Sequence, residues 1–303
     1  MKHLLKMLDL SKQDIIGILN LGDQLKYELK HGIRHRHLYG KTLAMIFQKA
    51  STRTRVSFES GMYQLGGHAL FLSASDLQIG RGEPVQDTAR VLSRYCDGIM
   101  IRTFAQKEVE DLAEYGSIPV INGLTDFSHP CQVLADLMTI REYKGNLSGL
   151  KMCYIGDGNN MANSLIVGGL KVDMSVSVAT PKGYEPDEKV LTFAKECGGL
   201  FHLTESCEEA AKGADVIITD VWASMGQEGE REKRAKAFQG FQVNDALLKS
   251  ANKDVMVLHC LPAHREEEIT AKVFEEHAKE IFDEAENRLH AQKAVLVKLL
   301  GNE

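Results

Sequence analysis

Leu43-Ala44-Met45-Ile46-Phe47-Gln48-Lys49-Ala50-Ser51-Thr52-Arg53-Thr54-Arg55 runs from an apolar stretch, through a short polar link, into hydroxyls and guanidiniums that open a helical pattern. That order reads as strand, tight loop, helix. A helix start offers unpaired backbone N–H groups and a partial positive charge. Ser and Thr donate through side chain and backbone, and Arg forks onto phosphate oxygens. The constellation suits a small dianion such as a phosphate ester or an acyl phosphate. A plainer reading stands beside it, with Ser51 or Thr52 as an ordinary N-cap and the arginines on a solvated helix face.

Working outward, β-prone apolar runs alternate with helical patterns along the chain. Strands are expected at 43–47, 98–101 and 120–122, then at 151–155, 175–179, 216–219 and 255–259. Such alternation predicts parallel sheets flanked by helices, an α/β fold. The Gly-containing break at 145–150, after a helical stretch from about Cys131 to Tyr143, is the expected domain boundary. A helix is expected over 284–300, with no strand of its own to pack on.

Ligands of open α/β sheets sit beyond the carboxyl ends of the strands. The polar motifs fall at such ends: 51–55 after one strand, Arg102-Thr103 after another, Asp220 and His259-Cys260 after two more. This places them in a cleft lined by strand-end loops. Arg102 is either a strand terminator or a third anion-binding arginine. His129-Pro130-Cys131-Gln132 precedes a helix that begins near Val133, where Asp126, Ser128 or His129 can cap and His129 and Gln132 can meet a carbonyl.

Gly156-Asp157-Gly158-Asn159-Asn160 resembles a dinucleotide fingerprint, but Met161 stands where its third glycine belongs and no acid ends the next strand. NAD is therefore not expected, and Asn159 or Asn160 can instead bind a small substrate. Asp220 opens a stretch with the single tryptophan, Trp222, that runs to Lys236 rich in Gly, Glu, Lys and Arg. It reads as a solvated loop or as a mobile lid with an acid at its base. His259-Cys260-Leu261-Pro262 allows a metal ligand pair, a Cys–His nucleophile or a non-covalent substrate contact.

The 303 residues suffice for two α/β domains or one large one. A formal charge of −6 argues against a general nucleic-acid binder. No apolar run is long enough to span a membrane and no signal-peptide pattern opens the chain, so a cytoplasmic protein is expected. The six cysteines form no Cys-x-x-Cys pair and are expected as free thiols. No P-loop pattern is present.

Taken together, residues 51–55, 129–132, Asp220 with Ser224-Met225-Gly226, and 259–262 resemble the aspartate/ornithine carbamoyltransferase superfamily, in the family's order and over most of the chain. The last two motifs resemble its ornithine-specific branch, rather than relatives that use aspartate or putrescine. The resemblance implies two α/β domains, 1–145 for carbamoyl phosphate and 146–283 for ornithine, with a C-terminal helix (284–303) packing back on the first. It implies carbamoyl transfer to the ornithine side chain, giving citrulline. Ser51, Thr52, Arg53, Thr54, Gln78, Arg102, His129, Pro130, Cys131, Gln132, Cys260, Leu261 and Arg288 would bind carbamoyl phosphate, with Gln78 reaching a neighbouring subunit's site. Asn160, Asp220, Ser224 and Met225 would hold ornithine, and Arg102, His129, Asp220 and Cys260 would be catalytic. It implies no cofactor and no metal, only small-molecule substrates, no nucleic-acid or membrane partner, and a homotrimer or an assembly of trimers. The rival class is a non-catalytic binding protein for small anions or amino acids.

Overall fold

The structure is a computed structural model that describes residues 1–223 and 228–301. It divides into two compact units, Met1–Ala135 with Asn287–Glu303, and Asp136–Glu286.

The first unit opens with α1 (Lys12–Lys30), whose Ser11 and Asp14 form a reciprocal capping box. β1 (Thr42–Phe47), α2 (Thr52–Gln64), β2 (His68–Ser73), α3 (Val85–Tyr95), β3 (Gly98–Arg102), α4 (Gln106–Tyr115), β4 (Val120–Leu124) and α5 (Pro130–Lys144) follow, the last running past Ala135. The strands are parallel in the order β2-β1-β3-β4. Every β3 residue is buried, as in a central parallel strand. β2 was not among the expected strands. It lies at the sheet edge, half-exposed, so its pattern lacks the buried run that marks β1 and β3. The register between β3 and β4 shifts at Ile101/Arg102. A helix ending in this unit (Ala278–Leu300) lies against α2, where a Cβ on Gly61 would stand 3.2 Å from Lys293 Cγ. Lys293 is buried there, and its Nζ donates to His35 Nε2 (2.7 Å) and Gln64 Oε1 (3.0 Å).

The second unit runs β5 (Lys151–Ile155), α6 (Asn160–Lys171), β6 (Ser175–Ala179), α7 (Glu188–Glu196), β7 (Phe201–Thr204), α8 (Cys207–Ala211), β8 (Val216–Thr219), α9 (Arg231–Ala237), α10 (Asp245–Leu248), β9 (Met256–His259), α11 (Ala271–Glu276) and α12 (Ala278–Leu300). Its parallel order is β7-β6-β5-β8-β9. β7, another half-exposed edge strand, also escaped the sequence reading. Cys153, Ile155, Ile217 and Val257 from alternate strand positions pack with Phe238, Val273 and Phe274 into one core.

In each sheet the strand order reverses direction once, between β1 and β3 and between β5 and β8. A crevice opens at such a reversal because neighbouring connections leave to opposite faces. The loops at these two points carry residues 51–54 and Arg102 in one unit, and residues 156–160 and Asp220 in the other. Among the described residues no helix is long and apolar enough to cross a membrane.

Candidate functional site

In the first unit Ser51 caps α2, accepting from Thr54 N (3.1 Å). The plain N-cap reading is therefore correct for its side chain, and capping fixes the helix mouth at the end of β1. Thr52 is exposed, Arg53 half-buried and Thr54 buried. Arg55 points elsewhere: it pairs with Glu59 (3.0 Å) and lies 3.6 Å over the Phe71 ring. Arg102 ends β3 nearly buried, just past the register shift. Such a shift re-aims a side chain at a sheet rim.

α5 begins at Pro130, not near Val133, because proline's fixed φ suits a first helical position. His129 therefore stands at the helix mouth itself. It is buried, and its pKa is held well below the usual histidine range by burial and by the nearby Arg288, Arg102 and Arg53. The imidazole is thus a neutral hydrogen-bonding group among three cations. Arg288 is buried and donates through Nη1 to Gln132 Oε1 (2.7 Å) and through Nη2 to Thr54 Oγ1 (3.3 Å). Gln292, with its amide turned to satisfy both neighbours, accepts from Arg288 (3.0 and 3.2 Å) and donates to Ser57 Oγ (2.5 Å). Cys131 turns inward, donating to Asn122 O (3.4 Å), and burial raises its pKa to about 12. Its side chain packs, so only its backbone faces the helix mouth. Gln78 stands apart, exposed in a single turn after β2 (Gln78–Arg81).

In the second unit Asn159 caps α6, accepting from Met161 N (2.9 Å) and Ala162 N (3.3 Å), and its Nδ2 donates to Asp220 Oδ2 (3.0 Å). Asn159 is thereby committed to structure, while the neighbouring Asn160 is nearly buried at the first helical position. Asp220 Oδ1 accepts from Val221 N (2.8 Å) and from Cys260 Sγ (3.1 Å). Burial, then the Asp220 carboxylate, pushes the Cys260 thiol well above its ordinary pKa. Cys260 is therefore a thiol donor, not a thiolate. His259 does not activate it, since its Nε2 meets Glu268 Oε1 (2.9 Å) and its Nδ1 accepts from Leu261 N (2.9 Å). This geometry opposes a Cys–His nucleophile. His264, Glu267 and Glu268 bring ligand atoms within 4.8 Å of one another, yet Glu267 also pairs with Arg231 (2.5 Å).

The glycine pair that imitates a dinucleotide loop has another cause. Gly158 donates to Tyr184 O (2.8 Å), and a Cβ there would stand 2.3–2.4 Å from Glu185 C and Pro186 N. The chain's own backbone occupies the close approach that a pyrophosphate would need. Ser224 and Met225 lie outside the described residues. Beyond them the charge-rich stretch is not a solvated loop throughout: α9 buries Arg234, which pairs with Asp157 (2.7 Å) and donates to Trp222 O (3.0 Å). Sequence reasoning missed Arg234, Gln292 and Glu268. Arg234 sits in a run of charges that looks solvated, and nothing local distinguishes the other two.

Residues 2–142 match the family described as "Aspartate/ornithine carbamoyltransferase, carbamoyl-P binding domain", and residues 148–299 the "Aspartate/ornithine carbamoyltransferase, Asp/Orn binding domain". A curated relative from Carboxydothermus hydrogenoformans, "Ornithine carbamoyltransferase", is 57% identical, the match covering 99% of this chain and 98% of the relative. The solved "Ornithine carbamoyltransferase from Pyrococcus furiosus" superposes with a TM-score of 0.95 at 57% identity, over 100% of this chain and 98% of that one. The anabolic ornithine carbamoyltransferase from Campylobacter jejuni superposes at 0.93 with 44% identity, over 99% of both chains. With both domains matched and relatives this similar over nearly the full length, the chain belongs to the aspartate/ornithine carbamoyltransferase family.

Proposed function

We propose that the chain transfers the carbamoyl group of carbamoyl phosphate to the side-chain amine of L-ornithine, releasing L-citrulline and phosphate in arginine metabolism. The observation that carries the reading is the Cys260–Asp220–Asn159 chain of hydrogen bonds at the switch point of the second sheet. It sets a buried carboxylate where an ammonium can be received, in a chain whose first unit gathers cations at its own switch point.

Residues 1–145 with 284–303 serve carbamoyl phosphate and 146–283 serve ornithine. Ser51, Thr52, Arg53 and Thr54 hold the phosphate through the start of α2. Arg102, neutral His129 and the backbone at Pro130, Cys131 and Gln132 meet the carbonyl and amide, with Arg288 completing the cradle through Thr54 and Gln132. As the carbonyl becomes tetrahedral, Arg102, Thr54 and His129 stabilise the oxyanion. Carbamoyl phosphate already carries a good leaving group, so no covalent enzyme intermediate is needed. The nucleophile is the harder half. An alkylammonium with pKa ~10.4 costs about 4–5 kcal/mol to deprotonate at neutral pH. Asp220 receives that proton, the second proton shed as the C–N bond forms leaves with the departing phosphate, and Cys260, held as a thiol, keeps the carboxylate aimed and lines the reacting point with Leu261. Asn160, Ser224 and Met225 hold the amino-acid end. No metal or cofactor takes part.

The working form is a homotrimer, or trimers assembled further, in the cytoplasm. Exposed apolar side chains on α2, β2 and α3, among them Tyr63, Phe71 and Tyr95, support a buried subunit contact there. Gln78 stands in the second short turn beyond that edge strand and reaches into the neighbour's site.

The test is a citrulline assay with carbamoyl phosphate and, separately, ornithine, putrescine, acetylornithine and aspartate. Product with ornithine supports the reading. Product with only another amine overturns the acceptor half, and no product from folded protein leaves an anion-binding protein. Light scattering that reports a monomer would remove the trimer.

A further inference from the structure

We propose that Glu268 and His259 are positioning residues for the acceptor site, acting as a buried clamp that sets the direction of Cys260 and Leu261. The proposal rests on the reading that those two residues line the reacting point.

Leu261 has φ 58°, in the left-handed region that a leucine leaves unless its surroundings hold it. Its backbone N–H donates to His259 Nδ1 (2.9 Å). A nitrogen that accepts carries no proton, so the imidazole proton must sit on Nε2. Nε2 faces Glu268 Oε1 at 2.9 Å, and both side chains are wholly buried. The carboxylate is the group that selects this tautomer.

The same oxygen, Glu268 Oε1, also accepts from His264 N (2.6 Å). One oxygen thus fastens both ends of the segment 259–264, through a side chain at one end and the backbone at the other. The four residues in the middle, 260–263, lie between these two ties. Cys260 follows from this anchoring, since its Sγ reaches Asp220 Oδ1 only if the chain leaves β9 in the held direction. Burying a carboxylate is unfavourable and needs compensating donors. Glu268 Oε1 takes both of its donors from the two ends of the segment that carries the chemistry, while Oε2 is buried without a hydrogen-bond partner among the described residues.

The experiment uses the full chain with Glu268→Ala, Glu268→Gln, His259→Ala and His259→Asn. A Gln oxygen can still accept both hydrogen bonds, and an Asn oxygen can still accept from Leu261 N–H. Steady-state kinetics are measured for both substrates, and alkylation of Cys260 by iodoacetamide is followed by peptide mass spectrometry. The expected result for Glu268→Ala is a roughly 10- to 100-fold loss in kcat or rise in ornithine KM, with the KM for carbamoyl phosphate within about twofold. Cys260 should be alkylated faster, because its thiol is released. Glu268→Gln should recover most of the loss, and His259→Asn should retain more turnover than His259→Ala. Unchanged kinetics in Glu268→Ala, equal loss of affinity for both substrates, or no recovery with Gln would overturn the clamp. If Glu268→Ala does not fold, His259→Ala against His259→Asn carries the comparison, and Cys260 alkylation in folded His259→Ala no faster than in wild type sinks it. Wild-type protein that makes no citrulline would defeat the functional reading instead, and the alkylation rates would still judge the clamp.

Discussion

Lys293 should make stability rise with pH over a range where most proteins lose it. The residue is buried against α2, and burial lowers its pKa from 10.5 to about 8, with Glu28 pulling the other way. A folded pKa below the unfolded one means that the ammonium is less favourable in the folded state. The full penalty applies below pH 8, where both states are charged. It shrinks from pH 8 to 10.5, as the folded protein sheds a proton that the unfolded chain retains, and it vanishes above 10.5. The difference corresponds to roughly 3 kcal/mol, reduced to about 2 kcal/mol by partial solvent screening. Lys293→Met removes the titration, together with two hydrogen bonds to His35 and Gln64 worth about 1 kcal/mol each. At pH 7 the two effects nearly offset, and the variant should match wild type within about 1 kcal/mol. By pH 10.5 wild type should lead by about 2 kcal/mol. Urea unfolding followed by circular dichroism, with both proteins measured at half-unit steps from pH 7 to 10.5, gives the difference directly and cancels other titrating groups. A flat difference across that window would refute the reasoning, and Lys293 would then be hydrated or already paired in a way that preserves its charge.

Arg102→Leu should lower kcat roughly 10²-fold or more while the thermal midpoint moves little; near-normal kcat removes Arg102 from the oxyanion role. Cys260→Ala should lower turnover or ornithine affinity roughly tenfold without changing the KM for carbamoyl phosphate, and unaltered kinetics would reduce the thiol to packing. Gly158→Ala should cost about 1–3 kcal/mol in chemical denaturation, because the backbone at 184–186 leaves no room for a methyl group; an unshifted midpoint refutes the close approach. His129, whose folded pKa lies below its ordinary 6.5, contributes stability that is present above that value and lost as pH falls. His129→Gln should flatten the fall in stability from pH 6.5 towards pH 5, and parallel curves would show that the imidazole protonates freely.

Much of the architecture can be read from one dimension because central parallel strands are buried on both faces and appear as unbroken apolar runs. β1, β3, β5 and β8 announce themselves this way. β2 and β7 lie at edges, half-exposed, and their mixed patterns match loops equally well. The strand-end rule also located Arg102, Asp220 and Cys260, since a polar residue after a buried strand has few other places to stand. What escaped is contact between distant positions. Glu268 is one of three consecutive glutamates, and only the fold distinguishes it from Glu266 and Glu267 by burying it on His259. Arg234 is likewise hidden by its charged neighbours until α9 turns it onto Asp157. The third glycine's absence at Met161 is visible in the sequence, but the reason for a glycine at position 158 comes from backbone 26–28 positions further on.

The first unit is discontinuous, and Arg288 reaches Thr54 and Gln132 from beyond the whole of the second unit. On a ribosome, 151 residues (136–286) must emerge after Ala135 before the next residue of the first unit appears. At about 5–20 residues per second that is a wait of roughly 8–30 s. For that interval the nascent chain lacks the guanidinium that ties Thr54 to Gln132. A chain interrupted by a premature stop within 136–286 never acquires that tie. The tie between Thr54 and Gln132 is therefore among the last contacts of the first unit that synthesis makes possible, and only a chain read through position 288 contains it.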